Sequence, residues 1–190
     1  MLEVNCEAME MHDEGASEDD REPQGLLIVW HSRTGASRAL AQAAHAGALA
    51  AQDSKEARTS LRLLEAAEVT PADLLGARGY IFACPENLAS MSGAMKEMFD
   101  RCYYPMLGRI EGRAYATLIA AGSDGSGAQA QIDRIVTGWR LRRVAEPVIV
   151  ILEAQTTEAI LAPKTVPDER LAQCRELGEA LAEGLALGVF

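Results

Sequence analysis

Residues 31–37 read His31-Ser32-Arg33-Thr34-Gly35-Ala36-Ser37. Three hydroxyl-bearing side chains surround one glycine, and an Ala-rich, helix-favouring stretch begins at once. The first turn of a helix leaves backbone N–H groups unpaired and carries the positive end of the helix dipole. A glycine in such a loop lets the backbone approach a ligand closely. Ser32, Thr34 and Ser37 can add hydroxyl hydrogen bonds. The combination suits an anion, and a terminal phosphate above all. A single hydroxyl would be enough to cap the helix, and here there are three. No lysine follows the glycine as it would in GxxxxGK[ST], and no GxGxxG occurs, which disfavours a dinucleotide site.

Two further segments have the composition of binding loops. Cys84-Pro85-Glu86-Asn87-Leu88-Ala89-Ser90-Met91-Ser92-Gly93 is long, small and polar, with Leu88 and Met91 set among positions that expose backbone. Such a loop can lay peptide groups along the edge of a flat heterocycle. Ala121-Gly122-Ser123-Asp124-Gly125-Ser126-Gly127 implies close approach to a ligand or, equally, a tight turn before a helix.

Other chemistries find no support. The four cysteines (Cys6, Cys84, Cys102, Cys174) show no CxxC spacing and do not cluster with His12, His31 or His45, so neither a zinc site nor a disulfide framework is expected. Cys84 reads as a small buried thiol. Neither Cys84 nor Cys102 has the arginine six positions on that a cysteine phosphatase needs. No GxSxG elbow is present. His31 reads as a strand-end residue beside the phosphate-type loop, and Asp100 and Arg101 as a local pair or cap. No catalytic side chain and no metal ligand is assigned.

The elements around these loops alternate. Leu26–Trp30, Gly79–Ala83, Ala114–Ala121 and Val148–Leu152 are short apolar runs of the kind buried on both faces of a sheet. Thr59–Leu63 alternates instead, as a half-buried edge strand does. Helices are predicted over 37–51, 71–75, 92–104, 127–141 and 168–187, with Leu171, Cys174, Leu177, Leu181 and Leu185 at helical spacing in the last. This βα alternation requires a parallel sheet with helices on both faces and right-handed crossovers. An edge strand in second position fits the five-strand order 2-1-3-4-5. Ligands of such a sheet sit at the carboxyl ends of strands 1 and 3, where the order reverses. Those are the ends that carry the first two loops.

On these residues the chain resembles the flavodoxin-like proteins. His31–Ser37 resembles their phosphate loop. Residues 79–105 are similar to the flavin-ring loop and following helix of the NAD(P)H-dependent FMN reductase and quinone-reductase branch, and 121–127 to that branch's third loop. The resemblance spans about residues 24–187. It implies an α/β, flavodoxin-like three-layer sandwich that binds FMN and takes NAD(P)H as co-substrate. Ser32, Arg33, Thr34, Gly35, Ala36 and Ser37 would hold the phosphate. Pro85, Glu86, Asn87, Leu88, Ala89, Ser90 and Met91 would hold the isoalloxazine ring. Ala121, Gly122, Ser123, Gly125 and Ser126 would close its other side. Leu88 and Ala89 stand where several relatives use an aromatic residue or a glycine. The resemblance also implies a homodimer whose neighbouring subunit completes the flavin site.

Three functions stay open: an FMN oxidoreductase passing hydride from NAD(P)H to a quinone or similar small acceptor, a flavodoxin-type electron carrier, and an anion-binding module without flavin. Charge bears on the choice. Of the formal −10, residues 1–24 contribute nine acids against Arg21 alone, and the body keeps 19 acids against 17 bases. The first 24 residues therefore read as an acidic, disordered tail and 25–190 as the folded domain. A nearly neutral body lacks the acidic face by which one-electron carriers dock. Only Arg140, Arg142 and Arg143 gather positive charge, read as a solvated helix end, so no nucleic-acid partner is expected. The core is expected to be Leu, Val, Ile and Ala, because only 5% of residues are aromatic. No apolar run nears the roughly 18 residues of a membrane span, and the acidic start is no secretory signal, so a cytoplasmic location is expected.

Overall fold

The structure is a computed structural model and describes residues 25–53 and 60–190. The tail assigned to 1–24 and the Thr59 start of the edge strand lie outside the described residues. Strands β1 (Leu26–Trp30), β2 (Leu61–Glu65), β3 (Gly79–Asn87) and β5 (Ala114–Ala121) pair in parallel in the order β2-β1-β3-β5. The strand expected at Val148–Leu152 is present as β7 (Val148–Ile151), and a two-residue strand, β6 (Arg142–Arg143), precedes it on the same edge of β5. β6 pairs with the start of β5 and β7 with its end. Pro147, which has no N–H to give the ladder, stands between them. A seventh strand, β4 (Ser90–Met91), folds back antiparallel on the end of β3. The order 2-1-3-4-5 is thus kept in outline, with the two-residue β6 and a short antiparallel ribbon added.

Helices α1 (Ala36–Asp53) and α6 (Asp168–Ala186) cover one face of the sheet. Helices α2 (Pro71–Leu75), α3 (Gly93–Met106) and α4 (Ser126–Gly138) cover the other. A further short helix, α5 (Thr157–Leu161), precedes α6 and was not anticipated. Helix α4 stops three residues before the predicted end, because Arg140 takes a left-handed φ of 55° and turns the chain. The basic trio is therefore not a helix end. Arg142 and Arg143 form β6, Arg143 pairs with Asp133, and Arg140 lies 3.0 Å from Glu111.

The two cores differ in kind. The α1/α6 side is built from Ala, Leu, Ile and Val, such as Leu40, Ala44, Ile81 and Leu181, with Cys174 among them. The α3/α4 side holds Tyr80, Phe82, Phe99 and Trp139 together with Met91, Met95, Met98 and Met106. Phe99 lies 5.0 Å from Phe82 and 5.3 Å from Trp139 between ring centroids. The expected aliphatic core therefore holds for one face only. The alternation of a strand sends Tyr80 and Phe82 to the same side, which concentrates a scarce residue type in one layer.

Helix α1 packs on α6 at backbone distance. A Cβ added at Gly47 would stand 1.9 Å from the Arg175 carbonyl oxygen, and one at Gly178 would stand 1.9 Å from that of Ala44. In an exposed helix, Gly→Ala stabilises by up to about 1 kcal/mol. Here Gly178→Ala is expected to destabilise by about 1–3 kcal/mol, because the helices must separate. Urea melts decide the sign, and a stabilised variant would contradict the close contact.

Candidate functional site

The parallel register brings the carboxyl ends of β1, β3 and β5 to one edge of the sheet. A cleft of about 660 Å³ lies there. The first loop lines it with Ser32, Arg33, Thr34, Ala36 and Ser37. Gly35 does not form wall surface, but its φ of +95° turns the loop, and nothing lies within 4 Å of where its Cβ would be. The second loop contributes Pro85, Glu86, Asn87, Leu88 and Ala89, and the third Ala120, Ala121, Gly122 and Ser123. Ser90 and Met91 stand outside the wall, where the Ser90 hydroxyl and the Met91 N–H both donate to Gln131 Oε1, at 2.8 and 3.0 Å. Gly125 and Ser126 also stand outside it, and the Ser126 hydroxyl donates to Asp124.

The polar atoms at the first loop divide by what they already bond. Ser32 Oγ accepts from the Gly35 N–H at 3.1 Å, which leaves its own proton available. Ser37, in the first turn of α1, is 1% exposed, and its Oγ is the one buried side-chain polar atom among the described residues without a partner. Leaving such a group unsatisfied costs about 1–3 kcal/mol. A ligand oxygen at the helix N-terminus would satisfy it.

The second loop is a strained hairpin. Leu88 and Ala89 have φ of 54° and 57°, so both central residues of the two-residue turn between β3 and β4 are left-handed. That turn favours Asn-Gly, and a bulky residue held there costs about 1–3 kcal/mol. Leu88 is nonetheless fully exposed at the tip. The hairpin is braced from behind by Glu86. Its Oε1 accepts from the Gly125 N–H at 2.9 Å and its Oε2 from the Ala128 N–H at 3.0 Å. Glu86 thus caps α4, whose own N-cap is a glycine with no side chain to do so. The expected ring-binding role of Glu86 is therefore narrowed, because both carboxylate oxygens are engaged elsewhere.

The neighbouring reactive groups are quiet. His31 closes β1 with its N–H on the Ala83 carbonyl at 3.0 Å, and its Nδ1 lies 2.9 Å from Ser92 Oγ. Burial holds the imidazole below its ordinary pKa, with Glu65 opposing and Arg33 adding to the shift. Burial pushes the Cys84 thiol up to about 12, so it stays protonated and unreactive. Asp100 and Arg101 do not pair with each other. Asp100 takes Lys96 at 2.5 Å, and Arg101 takes Glu97 at 3.0 Å while donating to the carbonyls of Val69 and Ala66.

Sequence reasoning missed one wall entirely. Leu152, Ala154, Ile160, Leu161 and Lys164 line the cleft from the segment after β7. No motif marks that segment. The available signal was its length, since connections longer than about 12–15 residues without structure of their own are uncommon and tend to be functional.

A parallel sheet between two helical layers, with a hydroxyl-rich loop running from its first strand into a helix, defines a flavodoxin-like α/β sandwich. The family model of NADPH-dependent FMN reductases matches residues 31–155, and the chain belongs to that family. It is similar to a flavodoxin of Aquifex aeolicus (strain VF5), 27% identical over 169 residues that cover 86% of this chain and 88% of the relative. A flavodoxin from the domain Archaea superposes with a TM-score of 0.66 at 16% identity, covering 85% of this chain and 98% of its own. An NADH:FMN oxidoreductase (EMOB) in its apo form superposes at 0.59 with 19% identity, covering 85% and 90%. At those identities the two structures speak for the fold. Membership places the chain among FMN-dependent flavoprotein oxidoreductases. The orphan Ser37 hydroxyl, the open space over Gly35 and the size of the cleft fit the phosphate and ring of FMN. Among the described residues no helix is long and apolar enough to cross a membrane.

Two expectations follow from the geometry. Ser37→Ala should weaken FMN binding about tenfold, the value of one hydrogen bond to a charged group, while leaving riboflavin affinity unchanged. Flavin fluorescence titrations read both, and equal losses for the two ligands would remove Ser37 from the phosphate. Replacing Leu88-Ala89 by Asn-Gly should stabilise the protein by about 1 kcal/mol or more, measured by urea melts. An unchanged midpoint would mean that the turn is not strained.

Proposed function

We propose that the chain is an FMN-dependent oxidoreductase that takes hydride from NAD(P)H and delivers electrons to a quinone or a similar small acceptor. The observation that carries this reading is the composition of the cleft wall. No tyrosine or tryptophan lines it among the described residues, so nothing aromatic would cover the ring and exclude a stacking nicotinamide.

The bound FMN would supply the hydride- and electron-accepting ring. The chain's own residues would position it. Ser32, Thr34, Ser37 and the first-turn N–H groups of α1 would hold the phosphate, with Arg33 beside them and Gly35 shaping the turn. The peptide groups of Pro85–Ala89 would meet one edge of the ring, backed by Ser90 and Met91 on Gln131. Ala121, Gly122 and Ser123 would close the other side, with Gly125 and Ser126 beneath them. No side chain is assigned as acid or base, in keeping with the protonated Cys84 thiol and with His31 turned to Ser92. Residues 25–190 form the FMN domain in this reading, with 1–24 as an acidic appendage. A homodimer, a cytoplasmic location and the absence of a nucleic-acid partner belong to the same reading.

The likeness to the Aquifex flavodoxin favours a second reading, an electron carrier with no substrate of its own. Anaerobic mixing of the FMN-loaded protein with NADPH or NADH separates the two. Bleaching of the flavin bands within seconds is expected for the oxidoreductase. Bands that persist with both nicotinamides would leave the carrier.

A further inference from the structure

The wall that sequence reasoning missed is held in an unusual way. Helix α5 spans five residues and buries none of them, so core packing does not fix it. Polar bonds do. The Ala159 N–H donates to Thr156 Oγ1 at 3.2 Å at its start. At its end Lys164 Nζ donates to the carbonyls of Ala159, Ile160 and Ala162, the latter two at 3.1 and 2.7 Å. The Lys164 N–H donates to the Thr34 carbonyl at 2.8 Å. One residue thus ties α5 to the middle of the anion cradle.

The tie keeps two apolar side chains at the cleft. Ile160 and Leu161 are 52% and 70% exposed, and both line it. Three charged side chains share the lining: Arg33, Glu86 and Lys164. Glu86 is engaged by α4 and Lys164 by the carbonyls of α5, and Arg33 stands in the phosphate-type loop. The α5 wall therefore offers apolar surface and no uncommitted charge.

We propose that Ile160 and Leu161 are specificity-determining residues that select an uncharged, apolar acceptor, and that Lys164 is the positioning residue whose ammonium holds them by gathering the carbonyls of α5 beside its own backbone bond to Thr34. This rests on the reading of the cleft as the FMN site. With phosphate in the cradle and the ring between the second and third loops, the α5 wall is left to the second ligand. An apolar ring docks against it by desolvation, and an anion meets there only an ammonium already engaged by the carbonyls of α5.

The test uses the full-length, FMN-loaded protein with saturating NADPH, 2-methyl-1,4-naphthoquinone as the apolar acceptor and ferricyanide as the charged one. The variants are Ile160→Ser with Leu161→Ser, Lys164→Met and Lys164→Arg. In the double variant the ratio of kcat/KM for the naphthoquinone to that for ferricyanide should fall about tenfold, through KM rather than kcat. Lys164→Met should move the ratio the same way, and Lys164→Arg, which still donates to carbonyls, should restore it. Because Ile160 and Leu161 are exposed, the double variant decides selection even if Lys164→Met fails to fold, and a wild-type ratio in it overturns the proposal. A loss of FMN affinity in step with the ratio overturns it too, by giving the wall to the cofactor. Failure of Lys164→Arg to restore the ratio removes the positioning role. A wild-type protein that binds no FMN, or turns over neither acceptor, removes the underlying reading and the proposal with it, and that failure is visible before any variant is made.

Discussion

A strand in a parallel sheet cannot return by a tight turn, so its chain must leave the carboxyl end and cross a helical layer before the next strand begins. Every strand-to-helix loop therefore gathers at one edge, where backbone N–H groups lie unpaired at the helix starts. In this chain that constraint places the loops after β1, β3 and β5 around one cleft. The burial of Ser37 without a hydrogen-bond partner is its sharpest local consequence. A folded protein tolerates such an atom where a ligand completes it.

The two faces of the sheet serve this edge differently. On the α1/α6 side, Gly47 and Gly178 let two long helices meet backbone to backbone. That contact anchors α1, whose N-terminus carries the unpartnered Ser37 hydroxyl. On the α3/α4 side, large rings and flexible methionines fill a wider space. There the loops are located by polar bonds from α4, through Gln131 and through the two N–H groups that Glu86 takes.

Legibility in the sequence followed the reach of each interaction. The runs Leu26–Trp30 and Ala114–Ala121 declared themselves because burial on both faces leaves almost nothing polar in the strand, and the one buried hydroxyl, that of Thr117, is met by Gln129 Oε1 at 2.6 Å. The cleft-lining loop after β1 was readable because its parts are consecutive. Glu86 was not readable as the cap of α4, since donor and acceptor are 39 residues apart in the chain. Lys164 and Thr34 escaped for the same reason. The two-residue β6 turned on its meeting the start of β5, and local pattern does not encode that. The left-handed pair Leu88-Ala89 contradicts its own turn preference, so local reasoning read a long polar loop where a tight hairpin stands. Conflicts between local preference and final structure are expected at functional sites.

The carboxylate of Glu86 has one more consequence, for the cleft as a whole. By accepting from the Gly125 and Ala128 N–H groups, it joins the β3–β4 hairpin to the loop after β5. Neither loop can swing out without stripping α4 of its cap. Another wall of the cleft is a single helical turn held by a few hydrogen bonds, with no buried side chain to anchor it. The two walls of the cleft thus differ in how they are held, one by the cap of a long helix and the other by hydrogen bonds at a single exposed turn.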